Sequence, residues 1–441
     1  MKKKIEFGDV LDKVADLLIK LLPDNILKDE TVVVRDIYNR ILILLKFDKN
    51  RKKEKQQLIN DIENALKELG PYYRGESSVL CACDLYESDI WFKNQDILTF
   101  RRNDVEIKLL ERQITGQDWL RPKTELHTIP RLAFYSFKGG VGRSTTVAAI
   151  AFLLAQSGKK VLVFDFDLES PGLASMLLPI ENQPKYGIVD WLVEDSVDNV
   201  ENHLLQDMAA SSRLATNMDG NIKVIPAMGA KTDGERIDPC YLAKLSRIYA
   251  DIPKQDGRIE RFSDRLERLV IESEKSEKPD VVLIDCRAGL HDLSAGSIVR
   301  IADESFLFIV DTPQSWQGYR LLFSHWQQFP KEADIIRRNL KVVHALIPPK
   351  GHREKPFLDE SYRLFQEILY DTISSGDTSQ DEKIFWFDRN IEEAPHFPIG
   401  ILWDEFLSEF DYHKFDNSDT QQKIKSNYDS LFKTVTKILE K

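Results

Sequence analysis

Between Leu132 and Ala155 the sequence reads LAFYSFKGGVGRSTTVAAIAFLLA, an apolar run, a glycine-rich turn and a second apolar run. That order constrains the fold more than any other feature of the chain. LAFYSF suits a strand covered on both faces of a parallel sheet, and TTVAAIAFLLA suits the helix that follows it. Between them, Gly139, Gly140 and Gly142 allow close backbone approach, and backbone N–H groups converge ahead of a helix amino terminus whose dipole favours negative charge. This is the geometry of a phosphate cradle, and Ser144 adds a hydroxyl suited to Mg²⁺. The generic pattern G-x-x-x-x-G-K-[ST] is met with two departures. Phe137 stands at the first glycine and Arg143 at the lysine.

From Leu132 onward, strand, turn and helix alternate. LAFYSF, KVLVFDFD, NIKVIPA, DVVLIDC, SFLFIV and KVVHALI read as strands, with helices over Ser144 to Gln156, where Gly158 serves as carboxyl cap, and over Arg258 to Glu274. The pattern predicts an α/β domain with a doubly wound, mostly parallel sheet. Its last strand is expected to end near Ile347. Ligands of such sheets bind in the crevice at the carboxyl ends of the strands. Asp165 and Asp167 end one strand there, and Asp285 ends another.

The flanks read differently. Residues 1–125 offer an amphipathic helix near Val10 to Leu22, the strands RILILLKF, SVLCACDL and VEIKLLERQI, and a charged helix from Lys52 to Leu69, which predicts a small α+β accessory domain. Residues 126–350 form the α/β domain. Residues 351–441 form a mixed, mostly helical extension, with KIFWFD as a strand and a terminal helix over the last twenty-one residues, packed on the α/β domain. Along that helix Ile424, Tyr428, Leu431, Val435 and Ile438 line one face; packing on its own domain is favoured over contact with lipid.

Composition narrows the function classes. A net charge of −11 argues against a protein whose main work is coating nucleic acid, because counterion release needs a concentrated basic surface. The basic run at Lys49 to Gln57 reads as a solvated helix face. Four cysteines without paired C-x-x-C spacing exclude a disulfide framework, and Cys81 and Cys83 are expected as small buried residues alternating on a strand. No apolar run reaches the roughly 18 residues of a membrane span, and the amino terminus lacks the apolar core of a secretion signal, so a cytoplasmic protein is expected. Trp91, Phe92 and Trp119 are expected in the core.

The segment KGGVGRSTT resembles the deviant Walker A motif, K-G-G-x-G-K-[ST]-T, of the MinD and ParA family of dimeric ATPases. The resemblance covers about Leu132 to Ile347. It implies that Lys138 is the signature lysine that reaches a nucleotide held by a partner subunit, and that Phe137 is no defect. Gly139, Gly140, Val141, Gly142, Arg143, Ser144 and Thr145 would hold the phosphates, with Arg143 in place of the family's second lysine. Arginine keeps the charge but is bulkier and differently directed, so binding should survive better than rate. By the same resemblance Asp167 positions the attacking water, Ser144, Asp165 and Asp285 hold the Mg²⁺ shell, and the N–H of Gly289 meets the γ-phosphate. DCRAG fits the family wording only in part, and the direction of Arg287 is left open. Cys286 does not match the cluster ligands of the related nitrogenase iron protein. The loop Asp311 to Gln317 falls where the family approaches the base. The implied activity is slow, Mg²⁺-dependent ATP hydrolysis coupled to homodimerisation, with a protein partner met through the amino-terminal domain or the extension. The alternative is a nucleotide-gated interaction module that binds ATP and dimerises with negligible turnover. The KGGVGR wording itself resembles a subgroup associated with bacterial regulatory or conflict systems.

Overall fold

The computed structural model describes residues 5–123, 125, 127–200, 202–230, 238–254, 259–348, 354–372, 384–408, 415 and 418–440. The chain divides into two compact units, Met1–Arg121 with Ser324–Asp334, and Pro122–Phe323 with Ile335–Lys441.

The first unit carries five strands, β1 (Thr31–Arg35), β2 (Ile41–Leu45), β3 (Val79–Cys81), β4 (Ile97–Arg102) and β5 (Val105–Glu111), in the order β3-β2-β1-β5-β4. β1 and β2 are buried at every position, which is why TVVVR and ILILL show no alternation. On one face Val32, Val34, Leu42, Leu44 and Leu110 pack against Leu85, Trp91 and Phe92. The helix Phe7–Leu21 buries Val10, Val14 and Leu18. Trp119 is buried, and its carbonyl accepts the indole N–H of Trp326 at 2.9 Å.

Two strands of this sheet lie outside the sequence expectation. β1 follows the helix Asp24–Glu30 with no glycine or proline to mark the change, and β4 is half-buried with a short polar turn before β5. The expected strand SVLCACDL is also shorter. After Cys81 the chain enters a 3₁₀ turn, because the Asp84 carboxylate accepts the Cys81 N–H at 2.9 Å and is itself held by Lys52 at 2.7 Å. Cys81 is therefore buried as expected, whereas Cys83 sits half-buried on the turn.

The second unit is built on an eight-stranded sheet. Its strands are β6 (Arg131–Ser136), β7 (Lys160–Phe166), β8 (Ala210–Ser211), β9 (Asn221–Ile225), β12 (Val281–Cys286), β13 (Glu304–Ile309), β14 (Leu340–Ile347) and β15 (Ile399–Leu402); β10 (Ile252–Pro253) and β11 (Ile259–Glu260) form a separate antiparallel pair. The order is β15-β14-β13-β6-β12-β7-β9-β8, and every neighbouring pair is parallel except β8 with β9. The expected mostly parallel α/β sheet is the one present. β6 and β12 are buried at all six positions, as continuous apolar runs require.

The sheet does not end at Ile347. β15 adds a further parallel strand, with Val343 opposite Ile399 and His344 opposite Gly400. KIFWFD forms no strand among the described residues. Its Phe385 N–H donates to the Asp371 carboxylate at 2.7 Å and its carbonyl accepts the Asp371 N–H at 3.0 Å, so these polar groups are satisfied without a sheet neighbour. Of the helix expected over Arg258 to Glu274, Arg258 lies outside the described residues; among those described the helix begins at Phe262, where Asp264 accepts the Arg261 N–H at 3.1 Å.

The helix Arg143–Gln156 is buried continuously from Thr146 to Ala155. A helix apolar all round needs cover on every side. The sheet supplies one side and the terminal helix Ser418–Leu439 another: Ile424, Tyr428, Leu431 and Val435 join the same core cluster, and Phe415 packs on Phe152 at 5.1 Å between ring centroids. Among the described residues no helix is long and apolar enough to cross a membrane.

Candidate functional site

β6 ends at Ser136 and the next helix begins at Arg143. Gly140 and Gly142 take φ values of +74° and +78°, which L side chains rarely adopt. A Cβ added at Gly139 or Gly140 would meet nothing within 4 Å, so the turn presents bare backbone to open space. Phe137 explains the missing first glycine. Its ring lies against Gly318, where an added Cβ would fall 2.2 Å from it. The side chain anchors the entry of the loop instead of shaping its ligand face.

Register brings two of the acids together. Asp285 on β12 pairs directly with Asp165 on β7. Between them and the loop stands Arg143, buried, with three nitrogens engaged. Nε donates to Asp285 at 2.6 Å, Nη2 to Asp167 at 3.0 Å and Nη1 to the Ser136 hydroxyl at 3.1 Å. Burial opposes the Arg143 charge, but the Asp285 charge and hydrogen bond outweigh it and hold the guanidinium protonated. Burial, reinforced by the Asp285 charge, pushes the Asp165 carboxyl up to about 8. Asp165 accepts backbone N–H groups from Asp167 and Gly172, both at 3.2 Å, and from Leu173 at 3.1 Å. Burial also raises Asp167, with Arg143 pulling the other way.

Ser136, Arg143 and Asp167 border a cavity of about 510 Å³. Its loop side is lined by Ser136, Gly139 to Thr145 and Asp167, its other walls by Arg287, Ala288, Leu346, Ile401 to Asp404, Leu407 and Tyr428. The structure thus assembles Gly139, Gly140, Val141, Gly142, Arg143, Ser144, Thr145 and Asp167 around one space, while Asp285, held by Arg143, and its strand neighbour Asp165 are buried outside the lining. Lys138 is exposed and lies outside this lining. Gly289 also lies outside it, at φ +84°, and its N–H donates to the Ser136 carbonyl at 3.0 Å. The loop Asp311 to Gln317 does not line the cavity either; Asp311 accepts the Trp316 indole N–H at 3.0 Å.

Arg287 carried a readable signal, since it follows a strand-ending acid by two residues. The Ile401 to Asp404 wall carried none, because only the pairing of β15 with β14 brings it to the crevice. Arg287 pairs with Glu169, which also accepts the Tyr249 hydroxyl. Glu169 lies two residues beyond Asp167, so this contact joins the two acid-bearing loops.

The cradle fits a phosphate chain: positive-φ glycines, open backbone and a helix amino terminus face one cavity. Among the described residues no group of three His, Cys, Asp or Glu side chains is placed to hold a metal alone. Mg²⁺ bound through nucleotide phosphates needs only one or two protein ligands, and Ser144 lines the cavity where such an ion would sit.

Residues 132–371 match the family described as the CobQ/CobB/MinD/ParA nucleotide binding domain. The antiactivator FleN of Pseudomonas aeruginosa is 27% identical over 190 residues, 43% of this chain and 54% of FleN. The septum site-determining protein MinD of Helicobacter pylori is 44% identical over 72 residues, 16% of this chain and 26% of that protein. The chain therefore spans about half of FleN and about a quarter of this MinD. Among solved structures, the septum site-determining protein MinD complexed with Mg-ADP from Pyrococcus horikoshii OT3 aligns at a TM-score of 0.41 and 16% identity, over 70% of this chain and 97% of that one. The family match takes in more than half of the 441 residues and contains the glycine loop, both acid-bearing strands and Arg287, and this chain belongs to the CobQ/CobB/MinD/ParA nucleotide-binding family.

Proposed function

We propose that this protein is a Mg²⁺-dependent, ATP-binding and slowly hydrolysing molecular switch of the bacterial cytoplasm that dimerises on ATP and regulates a partner protein. The observation that carries this reading is the single cavity shared by the glycine loop and Asp167, with Asp285 directly behind. The backbone of Gly139 to Thr145 receives the phosphates. Ser144 would hold the metal directly, Asp165 and Asp285 would support its shell and water ligands from outside the cavity lining, and Asp167 would orient the attacking water. Mg²⁺, when bound, neutralises charge developing on the phosphate oxygens. Exposed Lys138 is free to reach a nucleotide in a second copy of the chain. Gly289 meets a γ-phosphate only after its N–H leaves the Ser136 carbonyl. Residues 1–125 and the extension 351–441 are the candidates for partner contact, beside an ATPase domain at 126–350. Likeness to an antiactivator and to septum site-determining proteins supports a regulatory role.

One observation favours a second reading, an ATP-gated dimer with negligible turnover: the cation at the catalytic lysine position is engaged by Asp285 and Asp167. The test measures Mg²⁺-dependent ATP hydrolysis together with mass by light scattering for the native chain and for Lys138→Ala, Asp167→Ala and Arg143→Lys. The switch reading expects Asp167→Ala to trap an ATP-dependent dimer that Lys138→Ala cannot form. Negligible native turnover with a large gain in Arg143→Lys selects the second reading. ATP that neither binds nor changes the mass refutes both.

A further inference from the structure

We propose that Arg287 is the cation that reads the terminal phosphate of the bound nucleotide, and that Glu169 is the carboxylate against which that phosphate competes. The inference rests on the reading of the cavity as a nucleotide site.

The two arginines that line the cavity are held very differently. Arg143 is 7% exposed and has Nε, Nη1 and Nη2 committed to Asp285, Ser136 and Asp167. Release of its guanidinium would leave buried acids uncompensated, so it is poorly placed to follow a ligand. Arg287 is 31% exposed and meets Glu169 through Nη1. Among the described residues no second acceptor engages its guanidinium. A planar fork held at one prong keeps its remaining donors for a tetrahedral oxyanion.

Glu169 is arranged to let Arg287 go. Its Oε1 accepts the Tyr249 hydroxyl and lies 3.5 Å from His291 Nε2, so it stays partnered when Arg287 leaves. Its Oε2 is buried with no hydrogen-bond partner, so the carboxylate does not grip the guanidinium with both oxygens.

Position fixes which phosphate is read. Arg287 and Asp167 line the same cavity. The loop backbone takes the phosphates nearest the helix amino terminus. With Asp167 orienting the attacking water, as proposed above, the terminal phosphate is the end of the chain nearest Asp167, in the cavity that Arg287 also lines.

The experiment is equilibrium binding of fluorescent AMPPNP and ADP, each with Mg²⁺, to the native full-length chain and to Arg287→Ala, Arg287→Lys and Glu169→Gln, with thermal melting in parallel. Arg287→Ala should weaken AMPPNP roughly tenfold or more, in line with loss of a charge-assisted hydrogen bond, and ADP by less than about threefold. Arg287→Lys should restore part of the preference. Glu169→Gln weakens the competitor and should tighten AMPPNP. An AMPPNP-to-ADP ratio that is unchanged in Arg287→Ala, with native binding intact, overturns the role of Arg287 and leaves the nucleotide reading standing. Should Arg287→Ala melt too early to assay, unchanged or weaker AMPPNP binding by Glu169→Gln overturns it equally. A native chain that binds neither nucleotide overturns both.

Discussion

Arg143 shows what a motif carries and what it leaves out. Spacing marks residues 139 to 145 as a loop with a cation and a hydroxyl, and those residues line one cavity. Spacing does not give direction. Arg143 opens the helix, and side chains there tilt back toward the amino terminus. That tilt carries the guanidinium to the carboxyl ends of β7 and β12, where Asp167 and Asp285 receive it. Replacing it by methionine leaves buried carboxylates without their cation, and Arg143→Met is expected to destabilise the chain by about 3 to 5 kcal/mol. Urea denaturation reads this as a lower midpoint. The double variant with Asp285→Asn should lose less than the two single losses added together, because the residues are in contact.

At the scale of elements, the entry to the loop is set by the helix Pro313–Gln327, whose Gly318 lies under the Phe137 ring. Gly318→Ala puts a methyl where the ring stands, and no backbone strain is needed to explain the cost. The expected loss is about 1 to 3 kcal/mol of stability by overpacking, with weaker nucleotide binding as Phe137 shifts. Gly318→Ala paired with Phe137→Leu should recover stability, as judged by melting temperature. The central strands were legible because both faces of β6, β7 and β12 are covered and their apolar runs are unbroken. β15 was not legible. Its four residues, IGIL, contain a glycine, and among the described residues their one sheet partner is β14, more than fifty residues earlier. The wall that β15 brings to the cavity was hidden for the same reason.

For the whole molecule, the terminal helix belongs to the core of the second unit. Ile424, Tyr428, Leu431 and Val435 are buried in the cluster that contains the helix after the glycine loop, so the apolar stripe is occupied by the protein itself. Leu431→Ala is expected to cost about 2 to 5 kcal/mol, the usual penalty for a buried leucine, measurable as a lower melting temperature. A merely lipid-facing leucine would leave the melting temperature unchanged and lower liposome co-sedimentation instead. This packing also orders events during synthesis. Synthesis of the loop and its helix is complete at residue 156, while the helix that covers them starts at Ser418. At ordinary elongation rates that interval is on the order of ten seconds to a minute. Throughout it Phe152 and its neighbours lack a cover, so a nascent chain stalled before Ser418 exposes the apolar flank of its own nucleotide cradle to any chaperone or sister chain nearby.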